Sequence, residues 1–358
     1  MSEWKKYKLG EIASFKTGKL NSNAAVENGI YPFFTCSPIT LAINEYAYDQ
    51  KAILLAGNNA EGNFSIKYYE GKFNAYQRTY IIDSNEQVCD LKFLFYSLKL
   101  CLDNFKSVSQ GTSTRFLTAV ILNNFEILLP SIDNQKRITS ILSSLDDKID
   151  LLYRENATLE AMAETLFRQW FIEEAKEDWE EGQLGDVCLY VTEKIDISNV
   201  DVDTYISTEN MCPNKQGVVE ASSIPENVKV TKYIQDDILL SNIRPYFKKI
   251  WLADRNGACS NDVLCIRSKS EDLKYFTYYT IRQDDFFDYV MLGAKGCKMP
   301  RGDKQHIMNW SIIIPTNDVL RRFNTIVENG IAKIRNNNKQ IQTLVQTRDS
   351  LLSKLMCN

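Results

Sequence analysis

The chain reads as an α+β protein written twice: two similar α+β globular domains joined by two long antiparallel coiled-coil helices, with an internal pseudo-twofold duplication. Three observations predict it. Segments recur at an offset of 175 to 185 residues. Apolar residues recur every seventh position in two separate stretches. Between them, short β-type runs alternate with helical stretches. The expected parts are globular domains at 1–133 and 178–318, a central helix at 134–177 and a C-terminal helix at 319–358.

The repeat is legible residue by residue. EWKKYKLGEIASFKTGK at 3–19 returns as DWEEGQLGDVCLYVTEK at 178–194, an offset of 175. AILLAGN at 52–58 returns as DILLSNI at 237–243, and FEILLPSIDNQKRI at 125–138 as WSIIIPTNDVLRRF at 310–323, both at 185. The second copy therefore carries an insertion near its start. This period is far too long for a solenoid. Strands are expected at YIID, FEILLP, VLCIR and WSIIIP, and helices over 90–105 and 271–287.

The first long helix has a seam of Ile138, Leu145, Leu152, Leu159 and Leu166, with Leu142, Ile149, Asn156, Ala163 and Trp170 alternating with it. In the second, Phe323, Gly330, Asn337, Leu344 and Leu351 alternate with Val327, Ile334, Ile341, Arg348 and Leu355. Set antiparallel, the two place Asn156 opposite Asn337, Ala163 opposite Gly330 and Trp170 opposite Phe323. Paired amides satisfy each other where one alone would be costly. Leu145 against Arg348 fits badly. Charge favours this partner: 134–177 holds six Lys/Arg and nine Asp/Glu, and 319–358 holds seven and two. The competing reading packs each helix on its own domain or on another protein. Residues 138–170 span roughly 50 Å as a helix, more than the ~34–36 Å helical repeat of B-DNA.

Composition narrows the function classes. No apolar run approaches the ~20 residues of a membrane span, and the N-terminus lacks the apolar core of a signal peptide; a cytoplasmic protein is expected. The nine cysteines, scattered from Cys36 to Cys357, form no CxxC pair, so reduced thiols are expected rather than a zinc ribbon or redox site. One histidine, His306, leaves little room for a His-based metal site or triad. No NPPY- or DPPY-type methyltransferase motif, FxGxG loop or phosphate-binding loop occurs.

With these pieces in order, the chain resembles the specificity subunit of type I restriction-modification systems over nearly its whole length. LGEIASFKTGK, LLAGNNAEGNF, FNAYQRTYII and DNQKRITSILSSLDDKID carry the resemblance in the first half. DILLSNIRPYFKKIWLA, GACSNDVLCIR and GAKGCKMPRGDKQHI carry it in the second. The resemblance implies two target recognition domains, each reading one half of a bipartite, asymmetric site on double-stranded DNA. It implies helices that fix the spacer and dock two modification (methyltransferase) subunits, which carry S-adenosylmethionine and methylate adenine, with restriction subunits as further partners. This chain would be non-catalytic, with no cofactor or metal of its own and no membrane partner. One departure is charge: 178–318 holds sixteen Lys/Arg against twenty-two Asp/Glu, which puts tight DNA binding by the isolated chain in doubt. The alternative from another class is a coiled-coil scaffold presenting two protein-binding domains.

Base edges are read by paired or planar donors and acceptors. In the first domain the candidates are Asn58, Asn59, Asn63, Gln77, Arg78, Thr112, Ser113, Thr114 and Arg115. In the second they are Arg244, Tyr246, Lys248, Lys249, Asn261, Lys295, Lys298 and Arg301. Structural roles compete: Gly57–Asn59 as a turn, Gln77–Arg78 as a strand pair, and Arg301 in a salt bridge with a carboxylate such as Asp303. The lysines suit phosphates better than bases.

Overall fold

The computed structural model describes residues 4–226 and 228–356, apart from the side chain of Asn199. Cys357 lies outside the described residues. Two compact units emerge, one from the described residues of Met1–Leu151 and Ile341–Asn358, the other from Leu152–Gln340.

Both units contain the same construction. Lys5–Lys8 pairs antiparallel with Glu126–Leu129, Lys5 opposite Leu129. Glu180–Gln183 pairs with Ser311–Ile314, Glu180 opposite Ile314. These are the two repeat offsets, 175 and 185, appearing in one strand pair. A single helical turn follows each first strand, Leu9–Ile12 and Leu184–Val187. The repeated acid starts it: the Glu11 carboxylate accepts the Lys8 N–H at 3.0 Å and the Asp186 carboxylate accepts the Gln183 N–H at 2.7 Å.

The main sheets share one strand order. In the first unit Ala13–Thr17, Thr79–Ser84, Tyr48–Ala56 and Ile66–Ala75 lie side by side, and Tyr31–Phe34 and Leu41–Ile43 extend the sheet. In the second, Cys188–Tyr190, Val263–Ser268, Ile238–Ser241 and Ile250–Leu252 take the same places. A further sheet of Lys194–Asp196, Lys229–Tyr233, Gly257–Cys259 and Tyr205–Ile206 accompanies it. The apolar runs AILLA and DILLS are continuous because their strands are covered on both faces. Ile53 and Leu55 enter one core, Ala52 and Leu54 the other. Ile238 and Leu240 likewise separate from Leu239.

Each expected helix at 90–105 and 271–287 is broken in two. Leu91–Leu100 is followed by Leu102–Val108, and Lys274–Arg282 by Asp284–Leu292. Gln283 is extended at the second break. The breaks turn Phe105, and Phe286 with Phe287, into the cores, where all three are fully buried.

The long helices are Ile132–Arg168, closed by a wider turn at Gln169–Glu173, and Asn317–Met356. Buried Gln135 ties the first to its domain: it accepts the Asp90 N–H and donates to the carbonyls of Val88 and Pro130. The expected antiparallel register is present. Asn337 donates to Asn156 at 2.8 Å, and the Trp170 and Phe323 rings lie 6.2 Å apart. The poor match of Arg348 with Leu145 is resolved one position along. Arg348 donates to Asp146 at 2.8 Å, and Tyr96 donates to the same carboxylate at 2.6 Å. A guanidinium loses too much hydration to rest on a leucine, so it swings to the neighbouring carboxylate.

Candidate nucleic-acid interface

Some of the candidate residues gather on a small ribbon that both units build in the same way. In the first unit Asn58–Asn59 pairs antiparallel with Arg115–Phe116, Asn58 opposite Phe116, and Gln110 bridges Phe116 from the other side. In the second, Ile243 bridges Arg301 and Lys295 bridges Arg301. Every position is 185 residues on. The turn that allows this is also repeated. Gly111 has φ +109° and Gly296 φ +99°, a region that L side chains rarely adopt. A Cβ on Gly111 would sit 2.1 Å from the Thr114 carbonyl oxygen, and one on Gly296 3.2 Å from that of Met299. Each ribbon then ends in a helix cap, Thr118 before Ala119–Asn124 and Asp303 before Lys304–Met308. A second backbone bond fixes a neighbouring turn: Gly57 N–H to the Arg78 carbonyl, and Asn242 N–H to the Asp262 carbonyl.

The frame is shared and the side chains are not. In the first unit the Arg78 guanidinium lies over the Phe116 ring, 5.7 Å from its centroid. In the second the same two places hold Asp262 and Arg301, joined by a salt bridge of 3.2 Å. Arg301 therefore meets Asp262, not Asp303. Asp303 is occupied by Lys295 at 2.7 Å and by the N–H groups of Gln305 and His306. The Lys295 ammonium and these backbone donors hold the Asp303 carboxyl down at about 2.

Two further alternatives resolve differently from the sequence reading. Asn58 and Asn59 are strand residues, with the Asn59 carboxamide oxygen capping the N–H groups of Glu61 and Asn63. Gln77 and Arg78 are exposed in the turn between Ile66–Ala75 and Thr79–Ser84. Asn58, Asn59, Arg78 and Arg115 thus lie around the ribbon, with Thr112 and Ser113 exposed at its turn and Thr114 half-buried. Asn63 is held to one side by Lys106, and Gln77 donates to Asn21.

In the second unit Arg244 and Arg301 share the ribbon, the Arg244 N–H donating to the Pro300 carbonyl. Exposed Lys298 lies in its turn. Tyr246 stacks obliquely on Phe247 at 4.6 Å, both partly exposed. Lys248 is drawn to Asp284, whose carboxyl it and Lys215 hold below the usual range, and Lys249 donates to the Thr208 carbonyl. Asn261 accepts from Lys194. His306 stacks on Tyr289 with ring centroids 4.0 Å apart. Phe116, Asp262, Lys215 and Asp284 escape sequence reasoning. The signal for Phe116 was its place in the repeat, hidden because GTSTRF and GCKMPR share only the glycine.

Comparison with known proteins gives the same answer at three levels. Residues 1–161 match the family described as the type I restriction modification DNA specificity domain. The type I restriction enzyme EcoDI specificity subunit of Escherichia coli is 27% identical over 391 aligned positions, covering 93% of this chain and 86% of the relative. The chain is similar to type I specificity subunits over nearly its whole length. The MjaIX specificity subunit of Methanocaldococcus jannaschii is 25% identical over 77% of this chain and 70% of its own length. The crystal structure of the type I restriction-modification S subunit from M. genitalium shares the fold, with a TM-score of 0.59 at 15% identity, covering 100% of this chain and 97% of that one. The α+β architecture with two long helices is thus the fold of that solved S subunit.

Proposed function

We propose that this specificity subunit determines the DNA sequence acted on by a type I restriction-modification complex, each globular domain reading one half of a bipartite, asymmetric site. The observation that carries this reading is the duplicated ribbon. One backbone frame presents Asn59, Arg78 and Phe116 in the first unit, and Arg244, Asp262 and Arg301 in the second. Two readers of unlike chemistry on one frame suit a target whose halves differ. As a specificity subunit the chain is itself non-catalytic. The partners in this proposal are double-stranded DNA, two modification subunits that carry S-adenosylmethionine, and restriction subunits where the system has them. We place the boundaries of the two readers at 1–133 and 178–318, with the helices at 134–177 and 319–358 setting the spacer.

The second unit's cations are largely paired with its own carboxylates, Arg301 with Asp262 and Lys295 with Asp303. Phosphates must compete for them, so part of the grip on the backbone falls to the modification subunits. No helix among the described residues is long and apolar enough to cross a membrane, and a cytoplasmic setting, where the DNA is, fits the proposal. The test is co-expression with the modification subunit followed by sequencing of methylated sites. A single two-part sequence is expected, and replacing 1–133 by the same domain of a relative changes one half only. A protein scaffold would give no such sequence and no salt-dependent DNA binding.

A further inference from the structure

We propose that Arg282 is a positioning residue that sets the second unit's reading turn, Arg244–Lys248, against the central helix. The inference rests on the reading above. Arg282 is 5% exposed and ends the helix Lys274–Arg282. Its guanidinium donates to Glu164 at 2.6 Å and Glu160 at 2.8 Å, both on the central helix. It also donates to the Tyr278 hydroxyl at 3.1 Å and, on its far side, to the Lys215 carbonyl at 3.3 Å. One buried side chain therefore holds both the helix and a loop of the domain.

That loop is bonded to the reading turn. The N–H of Asn214 donates to the Phe247 carbonyl at 2.8 Å and that of Lys215 to the Lys248 carbonyl at 2.9 Å. The ammoniums of Lys215 and Lys248 meet on the same Asp284 oxygen, at 2.7 and 3.0 Å. Four non-glycine residues of this pair of turns have left-handed backbones: Asn214, Lys215, Arg244 and Lys248, with φ between 51° and 62°. Such conformations persist where surrounding structure over-determines them. Here the surroundings are the Arg282 bond to the Lys215 carbonyl and the shared Asp284. The turn in its place, the Arg244 N–H reaches Pro300, beside Arg301.

The device belongs to the second copy alone. Lys215 lies between Cys188 and Ile238, where the offset between copies grows from 175 to 185. Aligning DLK at 90–92 with DLK at 272–274 puts Leu100, an exposed residue, opposite Arg282. The first half-site is thus an internal control.

The test uses the full complex and reads methylated sites, together with thermal melting of each variant. For Arg282→Gln, methylation at sites with one wrong base in the second half should rise at least about tenfold relative to the correct site, the worth of one well-placed base contact. The first half should stay as strict as before, and Arg282→Lys should recover part of the discrimination. Should Arg282→Gln fail to fold, the double variant Glu160→Gln/Glu164→Gln carries the test, because its amides still accept from Arg282 without charge. Lowered melting with unchanged choice in the second half, or equal loosening of both halves, overturns the proposal. A wild-type complex that yields no two-part sequence sinks the proposed function instead, since it appears before any variant is compared.

Discussion

Asn156 and Asn337 are 181 residues apart in sequence, so their bond tests the helix pairing directly. Asn337 is fully buried. Its amide donates to Asn156 at 2.8 Å and to Glu155 at 2.9 Å, while Asn156 donates to Asn338 at 2.8 Å. The Asn337 carboxamide oxygen has no hydrogen-bond partner among the described residues. A neutral hydrogen bond contributes about 1 kcal/mol net, and a stranded buried acceptor costs about 1–3 kcal/mol. Alanine at either position breaks the shared bond. The double alanine variant should then lose about 1–2 kcal/mol less than the sum of the singles.

Leucine at both positions has the opposite sign. It removes the partnerless oxygen and adds apolar burial, worth about 1.5–3 kcal/mol at the fully buried position 337 and less at the half-buried position 156. The double leucine variant should melt above wild type, by about 2–4 °C for each kcal/mol gained in a unit of this size. It should also lose register, because the polar pair is what distinguishes one alignment from its neighbours. Thermal melting of the five proteins gives the energies, and light scattering reports pairing between chains. Additive alanine losses, or a double leucine variant that melts below wild type, would refute the reasoning.

Arg301→Ala should lower specific binding by ~1–3 kcal/mol if the side chain reads a base, or reduce the salt slope by about one if it holds phosphate. Its bond to Asp262 is a surface pair worth under ~1 kcal/mol, so a large fall in melting temperature would assign it a structural role instead. Gly111→Ala puts a Cβ against the Thr114 carbonyl and forces an unfavourable φ; about 1–3 kcal/mol of local stability should go, with loss of discrimination in the first half-site only. The Asp303 carboxyl should titrate near 2, below its unfolded value of 3.8, because Lys295 and two backbone N–H groups favour its charged form. Its contribution is fully present above the unfolded pKa and fades as pH falls through about 2; a carbon-detected NMR titration that finds it near 4 would remove the Lys295 bond from the account.

How much of this was legible beforehand depends on which physical rule spoke in the sequence. The heptads gave the helix register to the residue, because side-chain spacing on a helix is fixed by its geometry. The repeated LGE and LGD gave a turn whose acid caps it. The breaks at Cys101 and Gln283 were not legible: local propensity there is helical, and burial of Phe105, Phe286 and Phe287 decides the bend. The loop 295–301 was singled out for its cations and glycines. Its equivalence to 110–116 was hidden, because the pairing is made by backbone groups that leave no mark on side-chain identity.

That same fact explains how one fold can hold two different readers. The ribbon is kept by backbone bonds and a single left-handed glycine, so the positions around it are free to vary in chemistry. Gln110 is replaced by Lys295, Asn59 by Arg244, Phe116 by Arg301 and Arg78 by Asp262, while the bridges stay in register. The neighbouring interaction changes in kind with them, from an arginine over an aromatic face to an arginine held by a carboxylate. Neither pair is needed to close the turn, since the Gly57–Arg78 and Asn242–Asp262 backbone bonds do that in each unit. Side chains released from holding the frame are the ones a chain can devote to recognition, and Arg78 and Arg301 are among them.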